Sequence, residues 1–429
     1  MRTLDEWLKL QESVHPKSID LGLERVAAVA HALGLATPAF RVITVAGTNG
    51  KGSVAALAES VLRARGVRTG LFTSPHLVRY NERIQVAGAS AGDAELLAAF
   101  ERIEAARGTT TLTFFEYNTL AALEVFARRA VEVAVLEVGL GGRLDATNLV
   151  SADVAVLVSV GLDHLDWLGN SLESIGAEKA GILRSGRPAV LGSADMPASV
   201  FAAIGTLGVR ALVAGRDFTW QAGVGSWSYR GPGIALAGLS PPGLAGSIQY
   251  RNAATALAAV GALEGTIRLP GALDTRTVNA ALASVRLPGR LQIVPGPVEW
   301  ILDIAHNEPA ARVLATHLRE RSLAGGAGAV AGRTLAVVGV LADKDAAGIA
   351  AALAPLVDHW IVCALPGPRG GSAGELAWRL KLDTGNVTLA DSVLRGCELA
   401  RALSRPGDRV VVFGSFHTVG PALEWLGLY

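Results

Sequence analysis

Two cysteines in 429 residues, Cys363 and Cys397, are too few for a disulfide framework. They point to a reducing cytoplasm, and their apolar surroundings fit small core residues better than nucleophiles. Aromatic residues make up 5% of the chain and charged residues 18%, while half of it is apolar, which excludes a disordered chain. Neither sign of charge is in excess: 39 Lys and Arg face 38 Asp and Glu, a formal net charge of +1. Nucleic acid and anionic membranes therefore find no electrostatic footing, and any phosphate site must be local. Mean hydropathy is high at +0.37. Even so, no apolar run approaches the ~18 residues of a membrane span. The opening Met1-Arg2-Thr3-Leu4-Asp5-Glu6-Trp7 carries acids early and has no signal-peptide core. There is no sequence repeat, no Cys/His zinc spacing and no readable nucleophile triad. The length predicts about two to three domains.

What the chain does have is a phosphate-binding signature. Val42-Ile43-Thr44-Val45 is a β-branched run, followed by Ala46-Gly47-Thr48-Asn49-Gly50-Lys51-Gly52-Ser53 and then an Ala/Leu-rich helix from Val54. Gly47, Gly50 and Gly52 let backbone N–H groups converge on one point at a helix N-terminus, which suits an anion. Lys51 brings a charge to the β- and γ-phosphates, and Ser53 offers a hydroxyl to a phosphate or to Mg²⁺. The bland alternative is a Gly-rich turn with no ligand. Strand, loop, Lys and helix all agree with the functional reading.

Near-continuous Val/Leu stretches at Val131–Val138 and Asp153–Val160 predict strands buried on both faces of a parallel sheet. Ligands gather at the carboxyl ends of such strands. Glu137 stands there, opening Glu137-Val138-Gly139-Leu140-Gly141-Gly142-Arg143-Leu144-Asp145-Ala146-Thr147-Asn148. It reads as a hard-metal ligand or, more plainly, as a surface acid. His164, after the next strand, reads as a metal ligand or a solvated histidine. Lys179, beside Gly181, reads by composition as a surface lysine. Helices are predicted from about Asp20 to Leu33, with Asp20 or Ser18 as cap, and over Tyr117–Ala130. The Pro-rich Trp220–Gly246 stretch predicts short antiparallel strands. Leu287-Pro288-Gly289-Arg290 marks a boundary. A second α/β rhythm follows, with strands at Glu299–Ile304, Thr334–Val340, His359–Ala364 and Arg409–Phe413. Asp303, His306 and Asn307 follow the first of these, with an N-cap as the plain reading of Asp303. Ser415 and His417 follow the last. Polar strand-end loops in both halves suggest a cleft between them.

Taken together, the motifs resemble the folylpolyglutamate synthase / dihydrofolate synthase family of the Mur-ligase superfamily. The resemblance rests on Gly47 to Ser53, Thr73-Ser74-Pro75-His76-Leu77 with Asn81-Glu82-Arg83-Ile84, and Thr113-Phe114-Phe115-Glu116. It continues through Glu137 to Asn148, His164 to Gly169, Glu178 to Ile182, Leu287 to Arg290, Asp303 to Asn307, Asp343-Lys344-Asp345 and Gly414 to Val419. It implies an α/β architecture: a P-loop ATPase domain with a mostly parallel sheet and the pteridine site over residues 1–287, then a smaller Rossmann-like glutamate-ligase domain over 288–429.

The implied reaction is ATP-dependent joining of L-glutamate to dihydropteroate and to reduced folates through an acyl phosphate, releasing ADP and phosphate. The family pattern places Thr48, Asn49, Gly50, Lys51, Gly52 and Ser53 on ATP, together with Asn252, Arg290 and Asp303. It places Mg²⁺ at two sites, one on Ser74 and Glu137, the other on His164 and Glu137. Lys179 is often carbamylated in the family, which requires a neutral amine. His306 would lie near the transferred phosphate. Ser18, Ile19, Asp20, Leu21, Thr113, Phe114, Phe115, Glu116 and Leu144 are expected to line the pteridine pocket. Ser415 and His417 are candidates for the incoming glutamate. Two departures stand out. Ile248-Gln249-Tyr250-Arg251 replaces the family's His-Gln upstream of Asn252, and Glu308 comes before Pro309. The implied partners are small molecules, and the implied state is a cytoplasmic monomer. The alternatives are folylpolyglutamate synthase activity alone, a Mur-type ligase for another carboxylate, or a nucleotide-binding module without turnover.

Overall fold

The computed structural model describes residues 2–17, 19–323, 332–367 and 369–429. Ser18 lies outside them. The chain divides into two compact units: Met1–Gly243 with Tyr250–Val285, and Leu244–Gln249 with Arg286–Tyr429.

The first unit is built on eight strands: β1 (Arg41–Ala46), β2 (Thr69–Phe72), β3 (Ile84–Val86), β4 (Ala89–Ser90), β5 (Val133–Glu137), β6 (Val154–Leu157), β7 (Ala189–Leu191) and β8 (Ala211–Val213). Their order across the sheet is β4-β3-β2-β5-β1-β6-β7-β8. All pairings are parallel except those of β3 with β2 and with β4. β1 is central, and Val42, Ile43, Val45 and Ala46 are each 1% exposed or less. Burial on both faces is what an unbroken β-branched run encodes. Full burial of each large side chain contributes about 1.5–3 kcal/mol. The helices Lys51–Ala64 and Phe114–Arg128 are buried nearly all round.

The second of these helices starts earlier than its apolar period predicts. Thr113 caps it, its Oγ1 accepting from the Glu116 N–H while Glu116 accepts from the Thr113 N–H. The helix after Asp20 instead starts later, at Glu24, with no side-chain cap. Asp20 is held by Arg25, which corrects the capping expectation. Three antiparallel strands, β9 (Thr219–Ala222), β10 (Trp227–Gly231) and β11 (Ile234–Leu239), form a separate small sheet.

The second unit holds β12 (Gln292–Val294), β13 (Glu299–Asp303), β14 (Thr334–Val338), β15 (His359–Cys363), β16 (Val387–Ala390) and β17 (Arg409–Phe413), in the order β12-β13-β17-β14-β15-β16. Only β12 runs antiparallel to its neighbour. Cys363 and Cys397 are buried and unbridged, and burial pushes both thiols up to about 12.

Candidate active site

In the first unit the site is assembled at the carboxyl ends of β1, β2, β5 and β6. Between β1 and the helix at Lys51, Gly47 and Gly50 have φ of 155° and 85°. A Cβ on Gly47 would lie 3.1 Å from the Val158 side chain. One on Gly50 would lie 3.0 Å from Val158 and 3.2 Å from Asn252 Oδ1. Only glycine meets both the conformation and the close approach. The residues after β6 pin the loop. The Thr48 N–H donates to the Ser159 carbonyl at 2.8 Å, and the Asn49 N–H to Ser159 Oγ at 3.1 Å. Thr48 Oγ1 donates to the Gly161 carbonyl at 3.0 Å. Lys51 folds back over the loop, its Nζ donating to the carbonyls of Gly47 and Thr48 at 3.0 and 3.2 Å.

Glu137 ends β5 and is 2% exposed, so it is no surface acid. Its Oε2 accepts the Ser74 N–H at 3.0 Å, bringing together two residues far apart in sequence. The Ser74–Pro75 bond is cis. The loop beyond is held by Glu82, whose carboxylate accepts from the N–H groups of Leu77, Val78 and Arg79. The buried guanidinium of Arg83 donates to His76 Nδ1 at 2.7 Å and lies 5.4 Å from the Phe114 ring.

Lys179 is 4% exposed, correcting its surface reading. Its position comes from glycine contacts. A Cβ on Gly142 would lie 2.9 Å from the Glu178 carbonyl oxygen and 3.0 Å from that of Lys179, and one on Gly181 would meet Arg143. The Arg143 N–H donates to the Glu178 carbonyl, and Asn148 Nδ2 to those of Arg143 and Gly181. The Glu137–Asn148 run and the Lys179 turn are thus packed backbone to backbone. Burial, and then repulsion by Lys51, pull the Lys179 amine down to about 7, against the attraction of Asp163 and Asp145. Asp145 is itself buried and pushed up by that burial, while accepting from Leu140 and Thr147. His164 caps a short helix in the left-handed conformation, with Nε2 4.0 Å from Asp163 Oδ1. Among the described residues no cluster of three or more His, Cys, Asp and Glu forms a ready metal cage.

A second group lies on the same unit. Arg25 donates to Asp20 Oδ2 at 2.7 Å and to Glu116 Oε1 at 3.2 Å. Glu116 is 3% exposed. Asp20 and the Thr113–Glu116 segment therefore meet through Arg25. Ile19, Leu21, Phe114, Phe115 and Leu144 are only half-buried. Phe115 packs under Gly139, where a Cβ would come within 2.6 Å of its ring.

In the second unit Asp303 ends β13. Its Oδ2 accepts the Leu291 N–H and its Oδ1 the Ala305 N–H, both at 2.8 Å. Burial pushes this carboxyl up, and Arg290 and His306 oppose it. His306 Nδ1 donates to the Ile304 carbonyl at 2.9 Å, so Nε2 is the basic nitrogen when the ring is neutral. Arg290 and His306 both lie against the Phe416 ring, at 5.7 and 6.5 Å. Ser415 caps the last helix, accepting from the His417 N–H at 3.1 Å. Burial, then Arg369, pull the His417 ring down. A pocket of about 660 Å³ beyond β14 and β15 is lined by Val340, Leu365, Ser372, Trp378 and Arg379, and includes neither Ser415 nor His417.

Sequence reading passed over Ser159, Gly161, Arg25, Asp145 and Asp163. Asp145 lies inside a quoted motif and Asp163 abuts His164. Arg25 carried no signal, since its partner Glu116 lies 91 residues away.

The Mur ligase middle domain matches residues 45–213, and the Mur ligase glutamate ligase domain matches residues 289–416. Phosphate loop, strand-end carboxylate and two α/β units thus define an ATP-dependent ligase of the Mur type. Dihydrofolate synthase/folylpolyglutamate synthase of Escherichia coli K12 is 44% identical over 98% of this chain and 95% of its own length. Among solved structures, E. coli FolC in complex with DHPP and ADP superposes with a TM-score of 0.91 at 43% identity, covering 99% of this chain and 98% of that one. A bifunctional folylpolyglutamate synthase/dihydrofolate synthase solved with Mn, AMPPNP and L-glutamate bound superposes with a TM-score of 0.90 at 41% identity, covering 100% of this chain and 99% of that one. This chain belongs to the dihydrofolate synthase/folylpolyglutamate synthase family.

Proposed function

We propose that the chain carries both activities, joining L-glutamate to dihydropteroate and to reduced folates, with ADP and phosphate as by-products. One observation carries the reading. Lys179 and Glu137 are both buried beside a glycine-built anion loop, and burial with a neighbouring Lys51 pulls the Lys179 amine down to about 7. Support comes from the two relatives solved with DHPP and ADP, and with Mn, AMPPNP and L-glutamate. We assign the ATP and pteridine sites to residues 1–287 and the glutamate-ligase role to 288–429.

Thr48 to Ser53 hold the nucleotide phosphates through N–H groups, a hydroxyl and the Lys51 ammonium. Asn252, Arg290 and Asp303 complete the nucleotide contacts. Ser74 and Glu137 would hold one Mg²⁺, and His164 with Glu137 and a carbamylated Lys179 a second. These donors suit a hard cation that keeps waters and phosphate oxygens. A bound Mg²⁺ supplies charge neutralisation on the phosphates. A half-neutral Lys179 amine is available to CO₂, and the resulting carbamate is an anionic oxygen donor. Asp20, held by Arg25, and Glu116 mark the polar end of the pteridine pocket, with Ile19, Leu21, Thr113, Phe114, Phe115 and Leu144 as its walls.

The γ-phosphoryl group passes to the substrate carboxylate, giving an acyl phosphate. The glutamate nitrogen attacks the acyl carbon, the C–O bond to phosphate breaks, and the nitrogen loses a proton. His306 Nε2 is the basic nitrogen assigned to that end of the reaction. No side chain acts as a nucleophile. Positioning and charge carry the catalysis.

The test is ADP release from Mg-ATP and L-glutamate, in parallel with dihydropteroate and with tetrahydrofolate. Turnover with both is expected. Turnover with tetrahydrofolate alone reduces the protein to a polyglutamylase and removes the dihydropteroate assignment.

A further inference from the structure

The helix Ile248–Glu264 carries one charge that the fold does not use. Arg251 is half-buried. Its Nε is shielded from solvent and makes no hydrogen bond. No ion pair or hydrogen bond joins its guanidinium to any of the described residues. Burial alone pulls it down from the usual arginine value, with no acidic neighbour opposing. Other buried and half-buried arginines are treated differently. Arg65 is clasped by Glu264 and the carbonyls of Pro270 and Gly271. Arg184 has Asn148 and the carbonyls of Gly181 and Leu183. Arg409 has Thr334 and the Leu318 carbonyl. A half-buried guanidinium whose shielded Nε lacks such a partner costs stability, and an anion would compensate it.

Its place on the helix says which anion. The next residue, Asn252, lies against Gly50, where a Cβ would be 3.2 Å from Oδ1. Four residues on, Thr255 shares a helix face with Arg251, and its Oγ1 donates to the Arg251 carbonyl. That hydroxyl lies 3.2 Å from where a Cβ on Gly192 would sit, just past β7. Arg251 is therefore rooted between the phosphate loop and the carboxyl ends of β6 and β7, where an open α/β sheet receives ligands.

We propose that Arg251 is a further nucleotide-binding residue of this chain, supplying its guanidinium to the phosphates of the nucleotide on the Gly47–Ser53 loop. The inference rests on the ATP site proposed above.

Calorimetric affinities for ADP and for adenosine test it in the full chain, with thermal midpoints of the ligand-free protein alongside. Arg251→Met should weaken ADP roughly 10-fold or more, the loss expected for one charge-assisted hydrogen bond. Adenosine should stay within about twofold, because it carries no phosphate. The ligand-free midpoint should rise, since an uncompensated half-buried charge is gone. Arg251→Lys, which keeps the charge, should recover part of the ADP affinity. Unchanged ADP affinity in Arg251→Met overturns the proposal, most plainly if the midpoint also falls, as a structural arginine requires. Equal weakening of adenosine overturns the phosphate assignment. Failure of the wild-type chain to bind ADP removes the underlying nucleotide site, an outcome visible without any variant.

Discussion

The polar strand-end loops of the two units are used in different ways. In the second unit most of the polar side chains serve their own backbone. Ser415 caps the last helix, Asp345 caps Ala346–Leu353, and Asn307 accepts from Ala310. Asp303 ties down Leu291 and Ala305. In the first unit one buried charge, that of Lys179, is not spent in this way. Among the described residues Lys179 has no salt bridge; it lies near a second lysine and is pulled down to about 7. Gly47 and Gly50 are there because their φ is positive and a Cβ would press on Val158. Polar residues at strand ends thus divide into those that finish the fold and those that the fold carries at a cost. Lys179, in the second class, is the perturbed group that points to chemistry in the first unit, and Asp303 combines a backbone tie with the nucleotide role proposed for it.

The largest expected effect is on Lys179. Lys179→Ala should cut ADP release about 10²–10³-fold while ADP binding, measured by calorimetry, stays largely intact. Near-normal turnover would remove Lys179 from the site and erase the contrast. Stability should show the same residue from the other side. A lysine lowered from 10.5 to about 7 on folding leaves the unfolded chain holding more protons between those values. Its contribution to stability therefore rises with pH across that window, and its penalty is full below about pH 7. Lys179→Met should stabilise the ligand-free protein by about 1–3 kcal/mol near neutrality, and the gain should fade towards pH 10. Isotope-labelled bicarbonate should give a carbamate signal by ¹³C NMR that grows from about pH 6 to 8 as the neutral amine increases. Absence of the signal would leave Lys179 an unmodified amine.

Glu137→Gln should reduce turnover about 10²-fold with little change in secondary structure, because Gln keeps an acceptor for the Ser74 N–H. Asp303→Asn tests the second unit. An amide replaces one of the two carboxylate acceptors with a donor, so one of the N–H groups of Leu291 and Ala305 loses its bond. A cost of about 1–3 kcal/mol is expected in denaturant unfolding. Smallest is Ser415→Ala, expected to cost about 0.5–2 kcal/mol as a lost cap, with KM for glutamate unchanged. A large rise in that KM would place Ser415 on the substrate and blur the division between the two units.

The phosphate loop was legible in sequence because its geometry demands glycine at fixed positions. Glu137 was legible because a carboxylate ending an apolar strand is rare without a reason. Lys179 was not legible from composition. Its burial depends on Gly142 and Gly181 approaching backbones that local pattern does not show. Asp20 read as a cap, since a cap is a local solution, whereas its partner Arg25 also reaches Glu116 from another helix. β7, β8, β12 and β16 have three or four residues each, too short for alternation to register. The remaining strands of the second unit fell within a residue or two of their expected bounds.

The six residues Leu244–Gln249 belong to the second unit although the chain returns to the first before Arg286. Ala245 packs on the second unit's core, a Cβ on Gly246 would strike Leu291, and Ser247 bonds Glu320. The polypeptide is therefore stitched rather than strung. A protease nick or gene split at the 287/288 boundary would release a carboxyl-terminal piece missing part of its own surface, with Leu291 and neighbouring core side chains laid open to water. The second unit is folded partly from a segment embedded in the first unit's stretch of chain, so recombination among relatives can exchange these units whole only by crossing over at three places.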